Sequence, residues 1–243
     1  MWRAIERSAL PLSIAAVVAC VGAIGMVFFY APVEATMGIA QKIFYVHVPA
    51  AMAAYAGFVV CSGASLVYLL RPSSSLDAAA RAGAEVGMLF CLYVMISGPL
   101  WGIKAWGRAW TWDPQLTATF VLMMLYGGYI LFRQLTGDDA RSRRIGAVLA
   151  VIACADIPLI HYAVRNWGGL HPVVEREGGG GLAPAMKATF SVSMLAFLIL
   201  FAALFVVAWM QRRFAQRLDE AFVELEDVSY ELEAAREASA GTV

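Results

Sequence analysis

The chain has 243 residues, 61% of them hydrophobic and 15% charged, with a formal net charge of zero. That balance excludes an ordinary soluble domain, and a zero net charge gives no support for a nucleic-acid partner. Uncharged stretches long enough to cross a hydrocarbon core of ~30 Å recur along it, so the expected fold is all-α: a polytopic membrane protein of six transmembrane helices, residues 1–210, followed by a cytoplasmic amphipathic helical tail, residues 211–243.

The first segment, residues 9–29, follows Arg3 and Arg7. Its apolar run is long for a signal peptide and no A-x-A-like cleavage site follows, so it is expected to stay as a helix. A loop with Glu34 and Lys42 leads to segment two, residues 44–70, which opens with His47-Val48-Pro49 and stops at Arg71-Pro72. A polar, Ala-rich linker covers residues 73–80. Segment three, residues 82–100, closes with Ser97-Gly98-Pro99. Residues 101–117 then form a Trp-rich loop. Segment four spans residues 114–132 and ends at Arg133. A charged turn with Asp138, Asp139, Arg141, Arg143 and Arg144 precedes segment five, residues 145–164. The loop 165–185 carries His171 and the glycine run 178–181. Segment six, residues 188–210, meets Arg212-Arg213 and the tail. Cys20, Cys61, Cys91 and Cys154 all lie inside apolar segments without a C-x-x-C, and read as small core residues.

Lys and Arg set the orientation. With the N-terminus inside, twelve fall on the inner side; the outer loops hold six: Lys42, Lys104, Arg108, Arg165, Arg176 and Lys187. Both termini are therefore expected in the cytoplasm and the Trp-rich stretch on the outer face, with His47, His161 and His171.

Four of the seven tryptophans, Trp101, Trp106, Trp110 and Trp112, fall in that stretch with Lys104 and Arg108 between them. Such a cluster suits a large planar anion: rings stack on rings and carboxylates meet cations. The plainer alternative is an aromatic belt at headgroup depth, and Trp101 is the member that suits it best. Neutral imidazole is a common axial ligand of haem iron, and several histidines on the same face invite that role. Asp113-Pro114 is a favoured helix start; Asp113 is read as an N-cap, as a ligand contact, or as both. Asp156 lies inside segment five, where an ionisable residue is costly. Arg165 or His161 is its candidate partner, or it faces a water-filled outer cavity.

The pattern W-G-x-x-x-W-G-x-x-W-x-W-D-x-x-x-T over residues 101–117 resembles the tryptophan-rich WWD signature of haem-handling proteins. Phe44-Tyr45-Val46-His47-Val48-Pro49-Ala50-Ala51 and Leu170-His171-Pro172 resemble the two histidine blocks of the cytochrome c maturation protein C (CcmC, haem exporter protein C) family. The resemblance spans residues 9–210. Two positions depart from it: Ala109 stands where the signature has Trp, and Gln115 where Arg is frequent.

The resemblance implies a protein of the bacterial inner membrane that binds haem b on the periplasmic side. His47 and His171 would be the axial ligands of the iron. Trp101, Trp106, Trp110, Trp112 and Asp113 would complete the site, with Arg108 and Lys104 as propionate contacts. It implies delivery of haem to a CcmE-like periplasmic chaperone, within an ABC-type complex of an ATPase, further membrane subunits and a small single-span subunit. The expected role is haem delivery, not catalysis. The alternatives are a cytochrome c synthase-type subunit that attaches haem to apocytochrome, and a non-haem membrane transporter or scaffold.

In the tail, Phe214, Leu218, Ala221, Leu225, Val228, Leu232 and Ala235 recur at heptad spacing, with eight Asp or Glu against four Arg from residue 211 onward. This predicts an amphipathic helix that continues segment six. It is expected either to stay solvated, or to dock on a partner subunit or on itself. Its acidity disfavours an anionic membrane surface.

Overall fold

The computed structural model describes residues 2–167 and 182–240. It is all-α. The helices are α1 (Trp2–Gly25), α2 (Phe44–Leu70), α3 (Ser74–Trp106), α4 (Pro114–Leu135), α5 (Ala140–Cys154), α6 (Asp156–Asn166) and α7 (Pro184–Ala240). Six helical stretches are long and apolar enough to cross a membrane.

α1 ends in a π-helical turn, Met26–Tyr30. It packs along α7 with Ala16 and Ala23 buried, while Leu10, Ile14, Val17, Val18, Val21 and Ile24 stay exposed. A helix with this much bare apolar surface faces lipid on most of its circumference.

α2 and α3 form the centre. Their backbones approach closely because the contact is built from glycine. A methyl group on Gly57 would lie 2.6 Å from Gly87 Cα and 2.7 Å from Gly83 O, and one on Gly83 would lie 2.8 Å from Gly57 O. Around this seam the core contains Phe58, Cys61, Phe90, Cys91, Leu122 and Tyr126. Phe58 and Tyr126 stack with ring centroids 3.9 Å apart. The Tyr126 hydroxyl reaches the carbonyls of Phe58 at 3.1 Å and Ala150 at 3.2 Å, which joins α2, α4 and α5. A buried hydroxyl needs such a partner.

Three boundaries differ from the sequence reading. The linker at 73–80 is helical from Ser74, so segment three is the 33-residue α3. α3 passes through Pro99 and ends only at Trp106, which moves Trp101 and Trp106 out of the loop and onto a helix. Segment five is two helices, α5 and α6, broken at Ala155; Pro158 has no N–H for the carbonyl four residues back, and its ring crowds that carbonyl. Segment six and the tail are one 57-residue helix, the continuation expected from the heptad spacing of the tail.

At the end of the bundle away from the tryptophans lies a buried ion network. Arg133 is 3% exposed and meets Asp77 through two hydrogen bonds. Its Nη2 also donates to Asp138 at 2.8 Å, and Arg81 reaches the same oxygen of Asp138 at 2.8 Å. Nearby, Arg212 pairs with Glu85, Arg213 donates to Ser74 at 2.8 Å, and Trp209 Nε1 donates to Ser75 O at 3.2 Å. These contacts fix α7 to α3. In the sequence Asp77 falls in the supposed linker and Arg133 at a segment end, and neither is read as buried.

Candidate functional site

The opposite end brings together the start of α2, the end of α3 and the start of α4. α3 stops because Gly107 takes a left-handed φ of 76°, donating its N–H to Ile103 O, a conformation glycine adopts without strain. The chain then folds back on itself. Gly102 permits this, since a methyl group there would meet Arg108 O at 3.0 Å and Trp106 Nε1 at 3.1 Å. Asp113 starts α4: its Oδ1 accepts from Leu116 N at 2.9 Å, and Pro114 follows. The N-cap reading of Asp113 is therefore met in the fold.

The tryptophans do not form one flat surface. They make two edge-to-face pairs, Trp101–Trp106 at 5.3 Å and 75°, and Trp110–Trp112 at 5.6 Å and 84°. Trp101 is 7% exposed, so it packs inside the protein and is not a belt residue. Trp106 and Trp110 are half-buried, while Trp112, Lys104 and Arg108 are exposed.

An open cavity of about 60 Å³, within about 580 Å³ of space that includes the solvent at its mouth, lies between α2, α3 and α4. Of the residues singled out in the sequence, His47 and Trp110 line it. Tyr55, Met95, Gln115 and Thr119 line it as well, and Cys91 lies deeper. The sequence drew attention to Gln115 only as a departure from a signature, and gave no signal for Tyr55 or Met95.

His47 stands in the first turn of α2. Gly98 leaves room for its ring, since a methyl group there would lie 3.2 Å from His47 Cε1. The hydroxyl of Ser97 donates to Tyr93 O at 2.8 Å, which leaves its oxygen to accept from His47 Nδ1 at 2.8 Å. This network assigns the proton to Nδ1 and the lone pair to Nε2, the arrangement of a metal-ligating imidazole held by a second residue. Ser97 is thus a candidate site residue that the sequence reading missed. Its signal was present: Ser97 and Gly98 sit one helical turn before Trp101 and Gly102, but only if the helix continues past Pro99.

Four buried polar atoms within residues 110–117 have no hydrogen-bond partner among the described residues: Trp110 Nε1, Thr111 Oγ1, Gln115 Oε1 and Thr117 Oγ1. Buried polar groups are normally satisfied; Trp110 and Gln115 of these line the apolar cavity, which makes it a candidate ligand site. These walls offer a ligand an imidazole, an indole, an amide and a hydroxyl on an otherwise apolar lining.

Two other residues are placed differently from one another. His161 is exposed, with Nδ1 3.1 Å from Ile157 O and its ring 5.5 Å from that of Tyr55. Asp156 is 8% exposed. Its Oδ2 has no hydrogen-bond partner among the described residues, and no ion pair joins it to His161. The side chain of Arg165 and all of His171 lie outside the described residues, as do Arg176 and the glycine run.

Fold and site together define a polytopic helical membrane protein with a cavity beside a tryptophan-rich segment at one end, lined in part by His47 and Trp110. The sequence model of the heme exporter protein C family matches residues 2–224, and the chain belongs to that family. It is 32% identical to heme exporter protein C of Escherichia coli strain K12 over 222 residues, covering 84% of this chain and 88% of the relative. It is 33% identical over 180 residues to the heme exporter protein C of Bradyrhizobium diazoefficiens, covering 73% and 68%. The corresponding Rhodobacter capsulatus protein is 37% identical over 145 residues, covering 59% and 60%.

Proposed function

We propose that this protein binds haem b as cargo in the cavity between α2, α3 and α4, and hands it on for cytochrome c maturation. The observation that carries the reading is the His47–Ser97 hydrogen bond, which leaves the Nε2 lone pair of a cavity-lining imidazole as the metal-binding one. Trp110 and Gln115 supply unpartnered polar atoms on the facing wall. Trp101 and Trp106 form the indole layer behind, with Trp112 at the mouth. Arg108 and Lys104 are exposed and meet the propionates outside the cavity. His171 is the second axial ligand.

The same reading places the tryptophan end on the periplasmic side of the bacterial inner membrane and both termini in the cytoplasm. It makes the protein a non-catalytic delivery subunit of an ABC-type complex with an ATPase, membrane subunits and a small single-span subunit. A CcmE-like chaperone receives the haem. Family membership, the excess of Lys and Arg on the tail side and the exposed Trp112 support this.

Absorption spectroscopy of the purified protein tests it. A Soret band that is present in the parent chain and lost in both His47→Ala and His171→Ala is the expected result. A protein with no affinity for added haem would overturn the reading. If His161→Ala abolishes the band and His171→Ala does not, the second ligand is misassigned.

A further inference from the structure

The tail end of α7 carries a surface that haem delivery leaves unused. Gln216, 6% exposed, is the last side chain packed into the bundle. Every residue from 217 to 232 is exposed, although the helix continues without a break. Residues 218–232 therefore project about 22 Å beyond the bundle, at 1.5 Å per residue. An isolated helix this short is marginal in water, and one face of it is apolar: Leu218, Leu225, Val228 and Leu232, with Phe222 beside them, are all exposed. The rest of the circumference is mostly acidic, with Val223 and Tyr230 exposed on the far side. Residues 218–232 hold Asp219, Glu220, Glu224, Glu226, Asp227 and Glu231, and no Lys or Arg.

We propose that residues 218–232 are a docking helix for a basic amphipathic helix of a partner protein. The apolar stripe is the seam, and the carboxylates on either side meet Lys or Arg of the partner. Charge decides between the occupants such a stripe can take. A second copy would set six carboxylates against six, and an anionic membrane surface repels the same face. A basic helix alone satisfies both the stripe and its flanks. The root of the helix is anchored by Arg212 to Glu85 and by Arg213 to Ser74. It is therefore presented to a partner as a fixed arm. The family match ends at residue 224, within this arm.

The test uses the full chain in lipid nanodiscs and two synthetic peptides of three heptads with leucine at the seam. One has lysine at the flanking positions, the other glutamate. Binding of the lysine peptide, about tenfold or more tighter than that of the glutamate peptide, is expected. Leu225→Asp together with Val228→Asp adds negative charge while removing the stripe. It is expected to weaken the lysine peptide by about tenfold, and Leu225→Gln with Val228→Gln should do the same without changing charge. Unchanged or tighter binding by the Asp variant would mean charge attraction alone and overturn the proposal. So would equal binding of both peptides, no binding of either, or self-association of the parent chain that the double variants abolish. None of these outcomes depends on what the cavity binds.

Discussion

Arg133 lies fork to fork against Asp77, with Nη1 2.8 Å from Oδ1 and Nη2 3.1 Å from Oδ2. The two side chains are 2% and 4% exposed. The pair ties the end of α4 to the first turn of α3, and Arg143 approaches the same carboxylate at 3.9 Å. Breaking a buried pair on one side leaves a bare charge, which costs far more than the pair contributes when both members are replaced. Arg133→Leu is expected to lower stability by about 3–5 kcal/mol. Asp77→Leu combined with Arg133→Leu should recover much of that loss. Thermal denaturation of the purified variants in detergent measures both, and a double variant no better than the single one would contradict the argument.

Glycine at the α2–α3 seam gives a sharper contrast. A methyl group on Gly57 would meet backbone atoms at 2.6 and 2.7 Å, whereas one on Gly63 or Gly22 meets nothing within 4 Å. Gly57→Ala has no flexible neighbour to displace, so the helices must separate. The expected loss is about 1–3 kcal/mol or more. Gly63→Ala should be neutral or slightly stabilising, since alanine is the better helix former. Similar melting temperatures for the two variants would show that the seam is looser than the geometry implies.

Ser97 accepts a hydrogen bond from His47 Nδ1 and is not itself among the residues lining the cavity. Ser97→Ala is expected to weaken haem binding by about 10–100-fold, the usual range for a residue that orients a metal ligand. His47→Ala should abolish the band attributed to His47 ligation. Haem titrations followed at the Soret band separate the two, and a Ser97→Thr variant that keeps the hydroxyl should restore most of the affinity. Full affinity in Ser97→Ala would remove Ser97 from the site.

Asp113 caps α4 through Leu116 N. Asp113→Asn keeps a capping oxygen and should fold like the parent chain, while Asp113→Ala should cost about 1 kcal/mol. A charge requirement in delivery would then appear as Asp113→Asn protein that accumulates normally, binds haem and fails to load the chaperone. A variant that loads it fully confines Asp113 to the cap.

Arg108 and Lys104 are exposed, so any attraction they exert on propionates is open to screening. Arg108→Ala should weaken haem binding more at low salt than at high salt. Equal loss at every ionic strength would assign Arg108 a packing role.

Much of this molecule was legible from periodicity and local chemistry. α2 begins and ends where the sequence puts it, at Phe44 and Leu70. Asp113-Pro114 is the helix start its two residue types dictate, and His47 faces the cavity. What escaped was decided by partners distant in the chain. Ser97-Gly98-Pro99 reads as a stop, yet α3 continues because Ser97 and Gly98 fit against His47 on another helix. Asp77 reads as linker because its mate, Arg133, is 56 positions away. The tryptophans were legible as a cluster but not as two perpendicular pairs, because ring angles depend on the fold-back at Gly107.

α7 has no joint along its 57 residues. At about 1.5 Å per residue it is a shaft of roughly 85 Å. Near one end Phe190 stacks on Phe44, centroids 4.9 Å apart, and Phe44 is the first residue of the helix that carries His47. Halfway along it Arg212 and Arg213 grip α3, and the acidic arm continues outward. Twist or tilt applied to that arm has no flexible segment in which to dissipate. Through Phe190 it would bear on Phe44, three residues before His47 on α2, so a rigid displacement of the shaft would reach the turn that carries the imidazole.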